Sequence, residues 1–158
     1  MKRCTFCSII EGKTPASIVL NSADCVAFLD ISPINPGHTI VVPRCHVVAF
    51  TQLSAQETGN LAIAVQRIAI SLKERLPGCV GITLSLADGE GAGQDVPHVH
   101  FHVIPRYSGD DFGWRRFGQP AGRGELDAIA AQVQMAGHSG DGPNKSQDTM
   151  PPSGVSHL

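Results

Sequence analysis

His98-Val99-His100-Phe101-His102-Val103-Ile104-Pro105 sets three imidazoles at alternate positions, with apolar side chains between them. On a β-strand successive side chains point to opposite faces. His98, His100 and His102 therefore share one face, and Val99, Phe101 and Val103 enter a core on the other. Unperturbed histidine ionises near ~6.5, so such a row can supply a nucleophile, a proton donor or a metal ligand at neutral pH. A purification tag would be terminal and consecutive, whereas this run is internal and interleaved. The segment leading into it, Asp88-Gly-Glu-Gly-Ala-Gly-Gln-Asp-Val-Pro97, is rich in glycine. Glycines allow positive φ and close backbone approach, so consecutive N–H groups can converge on an anion. An ordinary hairpin loop is the other reading of that segment taken alone.

Outward from the histidines, Gly81–Leu86 and Val96–Ile104 read as strands. Ile18–Leu20, Cys25–Leu29 and Thr39–Val42 form an earlier β-prone set separated by Asn21-Ser22 and Asn35-Pro36-Gly37. Between the two sets, Ser54-Ala-Gln-Glu57 has a capping-box pattern. Leu61, Val65, Ile68, Leu72 and Leu76 follow at helical spacing, and Pro77-Gly78 ends the run. A shorter C-terminal helix is expected from about Glu125 to Gln134. Strands, one long helix and more strands, joined by hairpin-sized gaps, predict an α+β domain with an antiparallel β-sheet. The expected domain is 1–136. The tail 137–158, rich in Gly, Ser and Pro, is expected to be disordered, with His138 and His157 inactive within it.

The 158 residues suit one domain, and 42% hydrophobic with 16% charged residues reads as globular. A net charge of −2 supplies no broad basic surface, so no nucleic-acid partner is expected. The N-terminal stretch lacks a signal-peptide core, and no segment approaches the ~20 apolar residues of a membrane span. The expected location is the cytoplasm, without membrane association. Five cysteines, an odd number, argue for thiols or metal ligands over a disulfide framework. Cys4-Thr-Phe-Cys7 has the two-residue gap that brings two sulfurs to one tetrahedral ion, but it is half of a site. Its terminal position disfavours a thioredoxin-like redox pair. Two buried thiols are the alternative.

Gly91-Ala-Gly-Gln-Asp-Val-Pro-His-Val-His-Phe-His-Val-Ile-Pro-Arg106 resembles the signature of the histidine triad family. Phe28-Leu-Asp-Ile-Ser-Pro33 and Pro36-Gly-His-Thr-Ile-Val-Val-Pro-Arg44 match it in order and spacing, so the resemblance covers residues 4 to about 117. It implies an antiparallel sheet with a long helix, paired into a homodimer. It also implies hydrolysis or transfer at the α-phosphorus of a purine nucleotide, through a nucleotidyl-histidine intermediate. The resemblance puts the nucleophile at His100. Phosphate contacts fall at His102 and the Gly93, Gln94, Asp95 and Val96 segment, and the ribose contact at Asp30. Phe6, Ile9, Phe28 and Ile31 fall where the family lines its base pocket, although each is as readily a plain core residue. Some bacterial members join the Cys pair to two histidines, which here are His46 and His98. Together with Cys4 and Cys7 these would close a structural zinc site. His38 falls where the family also has histidine, as support for the triad, and Trp114-Arg-Arg116 where C-terminal segments reach a neighbouring subunit.

Two positions depart from the pattern. Ala87 stands where an Asn or Gln contacts the phosphate, and Asp95 where Ser or Thr follows the loop Gln. Loss of one such donor costs on the order of 100-fold in rate. Three functions stay open on the sequence: a nucleoside phosphoramidate hydrolase, a dinucleoside polyphosphate hydrolase, and a nucleotide-binding module with little turnover.

Overall fold

The computed structural model describes residues 4–111 and 121–133. In chain order the elements are α1 (Thr5–Ile10), β1 (Ile18–Asn21), β2 (Cys25–Leu29), β3 (Thr39–Pro43), α2 (Ala55–Arg75), β4 (Cys79–Ser85), β5 (Phe101–Tyr107) and α3 (Arg123–Val133). The five strands form one sheet in the order β1-β2-β3-β5-β4, with every neighbouring pair antiparallel. The chain divides into units 1–114 and 115–158, and α3 belongs to the second. No helix of the described residues is long and apolar enough to cross a membrane.

α2 starts where the capping box predicts. The Ser54 hydroxyl accepts from the Glu57 N–H, and the Glu57 carboxylate accepts from the Ser54 N–H at 2.8 Å. Its buried stripe is Leu61, Ala64, Val65 and Ile68, which packs on Cys25, Ala27, Val41, Val99 and Val103. This is one face of the sheet. On the other face Val26, Phe28, Ile40 and Val42 pack with Phe6 of α1, against which Cys4, Ile9 and Ile10 also lie. β2 and β3 are buried on both faces, so they read as unbroken apolar runs.

The strand expected from Val96 begins only at Phe101. Residues 96–98 bend, and the His98 N–H donates to the Val96 carbonyl at 2.8 Å. That bond takes the donor a ladder would need. The Val99 N–H instead reaches Val47 O at 2.8 Å. The alternation survives the bend: Val99 and Val103 enter the α2 side, with Phe101 packed against them. β5 also runs on through Pro105 to Tyr107, past the expected end at Ile104. Helix α1 was not expected at all. It has six residues, no side-chain cap at Cys4 and no acidic residue in its first turn, so the sequence carries no start signal. α3 begins two residues before the expected Glu125, and Gln134 lies outside the described residues. Trp114-Arg-Arg116 and the tail 137–158 lie outside them as well.

The connection from β2 to β3 is tied to the end of β5. Asn35 Nδ2 donates to Pro105 O at 2.9 Å and to Asp110 at 2.7 Å, and Arg106 Nε donates to Asp110 at 2.8 Å. The Arg106 guanidinium holds the Asp110 carboxyl well below the usual carboxylate range. Gly37 in this connection has φ +91°, and a Cβ there would come within 2.4 Å of Leu76 Cδ1. Only glycine fits the turn that delivers His38 to the sheet.

Candidate functional site

His98, His100 and His102 lie on the sheet face opposite α2, and each has its tautomer fixed by a partner. A carbonyl oxygen can only accept. His98 Nε2 lies 3.0 Å from Pro43 O, so Nε2 carries the proton and Nδ1 is a bare lone pair. His100 Nδ1 lies 2.7 Å from His98 O, so Nδ1 carries the proton and Nε2 keeps its lone pair. For His102 the chain of reasoning has one more link. The Ile34 N–H donates to His38 Nδ1 at 3.2 Å, so His38 carries its proton on Nε2, which donates to His102 Nδ1 at 2.9 Å. His102 therefore holds its own proton on Nε2. One imidazole offers a lone pair and its neighbour an N–H donor.

His100 is nearly enclosed, its side chain 2% exposed. Phe6 and His102 stand edge-on to it, with ring centroids at 5.1 and 4.9 Å. Its Nε2 lies 3.9 Å from Asp95 Oδ1, so that carboxylate, itself 82% exposed, stands at the solvent side of the ring. Burial lowers the basicity of both His38 and His102. For His102 the neighbouring His100 and His38 add to that, and Asp30 and Asp95 oppose it. Both are thus held neutral further into acid than ordinary histidine.

Two clefts meet at Asp30. The more polar one, of about 520 Å³, is lined by Asp30, His38, Ser85, Ala87, Asp95 and His102, among others. Two carboxylates and, among the described residues, no lysine or arginine line it. A second cleft, about 620 Å³ and mostly apolar, is lined by Thr5, Ile9, Phe28, Asp30 and Ile31. Asp30 Oδ1 accepts from the Ser32 N–H at 2.8 Å, and its other oxygen lies 3.5 Å from His38 Nδ1. It caps the turn and faces both clefts. Ile31 is 95% exposed, so the apolar cleft is open on that side. Phe6 lies outside the apolar cleft and packs instead between Phe28, His98 and His100.

The glycine loop is braced by the Gln94 side chain. Its Oε1 accepts from the Gly89 N–H and its Nε2 donates to Val48 O, both at 2.8 Å. Gly93 turns the chain at φ +91°. Its own N–H donates to Glu90 O at 2.9 Å, and that of Gln94 to Gly89 O at 3.2 Å. Of the four loop positions, Asp95 and Val96 keep N–H groups that donate to no acceptor among the described residues.

A second cluster shares His98. Cys4, Cys7, His46 and His98 place their ligand atoms within 4.8 Å of one another. His98 Nδ1 lies 3.6 Å from Cys4 Sγ, 3.7 Å from Cys7 Sγ and 3.4 Å from His46 Nδ1, and Cys7 Sγ lies 3.3 Å from His46 Nδ1.

Sequence reasoning passed over Thr83 and Ser85, which line the polar cleft beside Ala87. Ser85 pairs with His102 across the ladder, so the alternation 83, 85, 87 opposite that histidine was the available signal.

An α+β sheet with three alternating imidazoles on one face defines the class, and known proteins agree with it. A family model for the HIT domain matches residues 11–109. The chain is similar to a solved member of the HIT family from Bacillus subtilis, with 32% identity and a TM-score of 0.78 over 87% of this chain and all of that one. It is similar to a Zn-bound histidine triad family protein from Mycobacterium smegmatis, with 35% identity and a TM-score of 0.67 over 82% of this chain and 94% of that one. It is also similar to a histidine triad nucleotide-binding protein from Candida albicans, with 26% identity and a TM-score of 0.72 over 83% of this chain and 94% of that one. The chain belongs to the histidine triad, or HIT, family.

Proposed function

We propose that the protein is a nucleotidyl hydrolase or transferase acting at the α-phosphorus of purine nucleoside phosphoramidates or related conjugates. The observation that carries this reading is the pair of fixed tautomers, a bare Nε2 on His100 beside a protonated Nε2 on His102. His100 Nε2 attacks phosphorus, and the P–N bond breaks as the leaving nitrogen takes a proton from solvent and departs as the amine. The positive charge that develops on the ring is shared through Nδ1–H with the His98 carbonyl. His102 Nε2–H and the N–H groups of Asp95 and Val96 receive the phosphoryl oxygens as they gain charge. Water then displaces His100 and releases the nucleotide. Asp30, at the meeting of the clefts, is suited to accept from ribose hydroxyls, with the base against Ile9, Phe28 and Ile31.

A cleft with two carboxylates and, among the described residues, no lining cation suits an amine leaving group better than a polyphosphate. That favours phosphoramidates over dinucleoside polyphosphates. The reading is tested by turnover of adenosine phosphoramidate and diadenosine polyphosphate by native protein and His100→Ala. The expected result is preference for the phosphoramidate and a loss of at least ~10⁴-fold in the variant. Turnover that survives the substitution sinks the nucleophile assignment.

The thiol–imidazole set fits zinc on its own geometry. Around a tetrahedral zinc, bond lengths of about 2.0–2.1 Å to nitrogen and 2.3 Å to sulfur give edges of about 3.4 Å between nitrogens and about 3.6 Å between nitrogen and sulfur. The separations of 3.3–3.7 Å match those edges. Cys4, Cys7, His46 and His98 would hold the ion, and four protein ligands leave it no open position, so its part is structural.

The homodimer belongs to the same proposal. β4 is an edge strand, Ile82 packs into the core on the α2 side, and Val80 and Leu84 on that same face are exposed, as are Ile63 and Ile70 of α2. Sedimentation equilibrium reads the state directly, and a monomer at micromolar concentration would count against it.

A further inference from the structure

α1 serves two sites at once. Its six residues and the Cys4 that precedes it supply both thiols of the metal set. The same helix supplies Thr5 and Ile9 to the apolar cleft. Between the thiols, Phe6 packs on His98 at 6.0 Å, on His100 at 5.1 Å and on Phe28 of the cleft wall at 5.4 Å. A six-residue helix without a capping side chain is not stable on its own, so its position comes from these contacts. His98 is a second link. Its ring belongs to the metal set, and its carbonyl holds the nucleophile's Nδ1–H at 2.7 Å. His98 Nδ1, which has no proton, lies 3.4 Å from His46 Nδ1 and 3.6 and 3.7 Å from the sulfurs of Cys4 and Cys7, so without a cation it can accept from any one of them. A cation would draw all four groups to one point, whereas a single hydrogen bond ties only two of them. Loss of that common tie falls on α1 and on the His98 backbone, which are the parts the nucleotide cleft uses.

We propose that the metal set and the nucleotide cleft are one thermodynamic unit, with Phe6 as the positioning residue that couples them. Occupancy of the Cys4, Cys7, His46 and His98 set tightens nucleotide binding, and the nucleotide tightens metal binding by the same factor. Reciprocity is obligatory, because the two binding free energies close one cycle. This rests on the nucleotide and zinc readings above. The core beneath α2 contains no residue of α1, so α2 is expected to stay folded when the metal is removed.

The test is a closed cycle of affinities. AMP is titrated calorimetrically into zinc-loaded and chelator-stripped protein, and zinc affinity is measured by chelator competition with and without AMP. Circular dichroism monitors α2 throughout. The expected result is AMP binding about 10-fold tighter to loaded protein, inside the roughly 5–150-fold span of such couplings, with the same factor for zinc. Phe6→Ala leaves all four ligands in place. It is expected to bind stoichiometric zinc while the coupling factor falls toward one, and Phe6→Leu to recover part of it. Equal AMP affinity in loaded and stripped protein overturns the coupling alone. Absence of AMP binding to the loaded protein overturns the nucleotide reading and this proposal with it. Loss of the α2 signal on stripping overturns the proposal in favour of a global effect on folding. An undiminished factor in Phe6→Ala removes Phe6 as the coupling residue.

Discussion

Two clusters of ligand-type side chains lie on the same face of the sheet, and they are built for opposite ends. Cys4, Cys7, His46 and His98 converge, as do Asp30, His38 and His102. In the first, His98 presents a bare nitrogen to two sulfurs and another imidazole, so a lone pair is open to a cation. In the second, a proton already lies in the 2.9 Å gap between His38 and His102, and the Ile34 N–H occupies the remaining lone pair of His38. No acceptor nitrogen is left over for a metal. The difference lies in where the protons are, and those positions are dictated by backbone groups with only one hydrogen-bonding role. Convergence of histidines and carboxylates is therefore a poor guide to a metal until tautomers are worked out.

The comparison can be broken most forcefully at the thiols. Cys7→Ala is expected to lower zinc affinity by more than the ~10–100-fold typical for losing an outer partner of a ligand, measured by competition with a chromophoric chelator. If stoichiometric zinc survives Cys7→Ala and Cys4→Ala, the first cluster is no metal site. At the second cluster, His38→Ala frees His102 to take the wrong tautomer. It is expected to lower kcat/KM for adenosine phosphoramidate by ~10–100-fold with zinc content unchanged. His38→Gln, whose amide can donate toward His102, should recover part of that loss. An equal loss in both variants, or loss of zinc in either, would erase the separation between the clusters.

The smallest effect concerns pH. His38 and His102 are held neutral in the folded state, with basicity below the ordinary value of 6.5. Above pH 6.5 both states are neutral and the groups make no difference. Below it the unfolded chain takes up protons that the folded chain refuses, so stability falls as pH drops through 6.5 toward the lowered folded values. Urea midpoints between pH 7.5 and 5.5 read this slope, and it should flatten in His38→Gln. A stability that rises on acidification would contradict neutral, buried imidazoles.

How far the sequence carried this picture depends on which face of the sheet is considered. On the α2 face, the Ser54–Glu57 box and the Leu61, Val65 and Ile68 spacing gave the helix its start and its buried stripe, because cap chemistry and period are local properties. The alternation of the histidines was also local, and it held across the bend at 96–98. The opposite face was harder to read. α1 has no local signal, since tertiary contacts of Phe6 and the thiols hold it in place. The expected strand start at Val96 failed because a single bond from His98 to Val96 takes over the backbone. Asn35, Arg106 and Asp110 form a network across some seventy residues of sequence, and no window of sequence contains it. The proposed nucleophile and the two histidines of the metal set came from resemblance and the Cys pair from its spacing, whereas the tautomers came from coordinates alone.

On the proposed function, the Gln94 clasp governs how fast and at what entropic cost an anion is received. A slack glycine loop would have to be ordered at the moment of capture, at about 1–2 kcal/mol for each backbone residue fixed. Here the amide of one side chain bridges Gly89 and Val48 before any ligand arrives. The donors of Asp95 and Val96 are thus preorganised, and the ordering cost is met once, during folding. Capture at this loop should then be a docking event, limited by encounter instead of by closure of the loop around its guest.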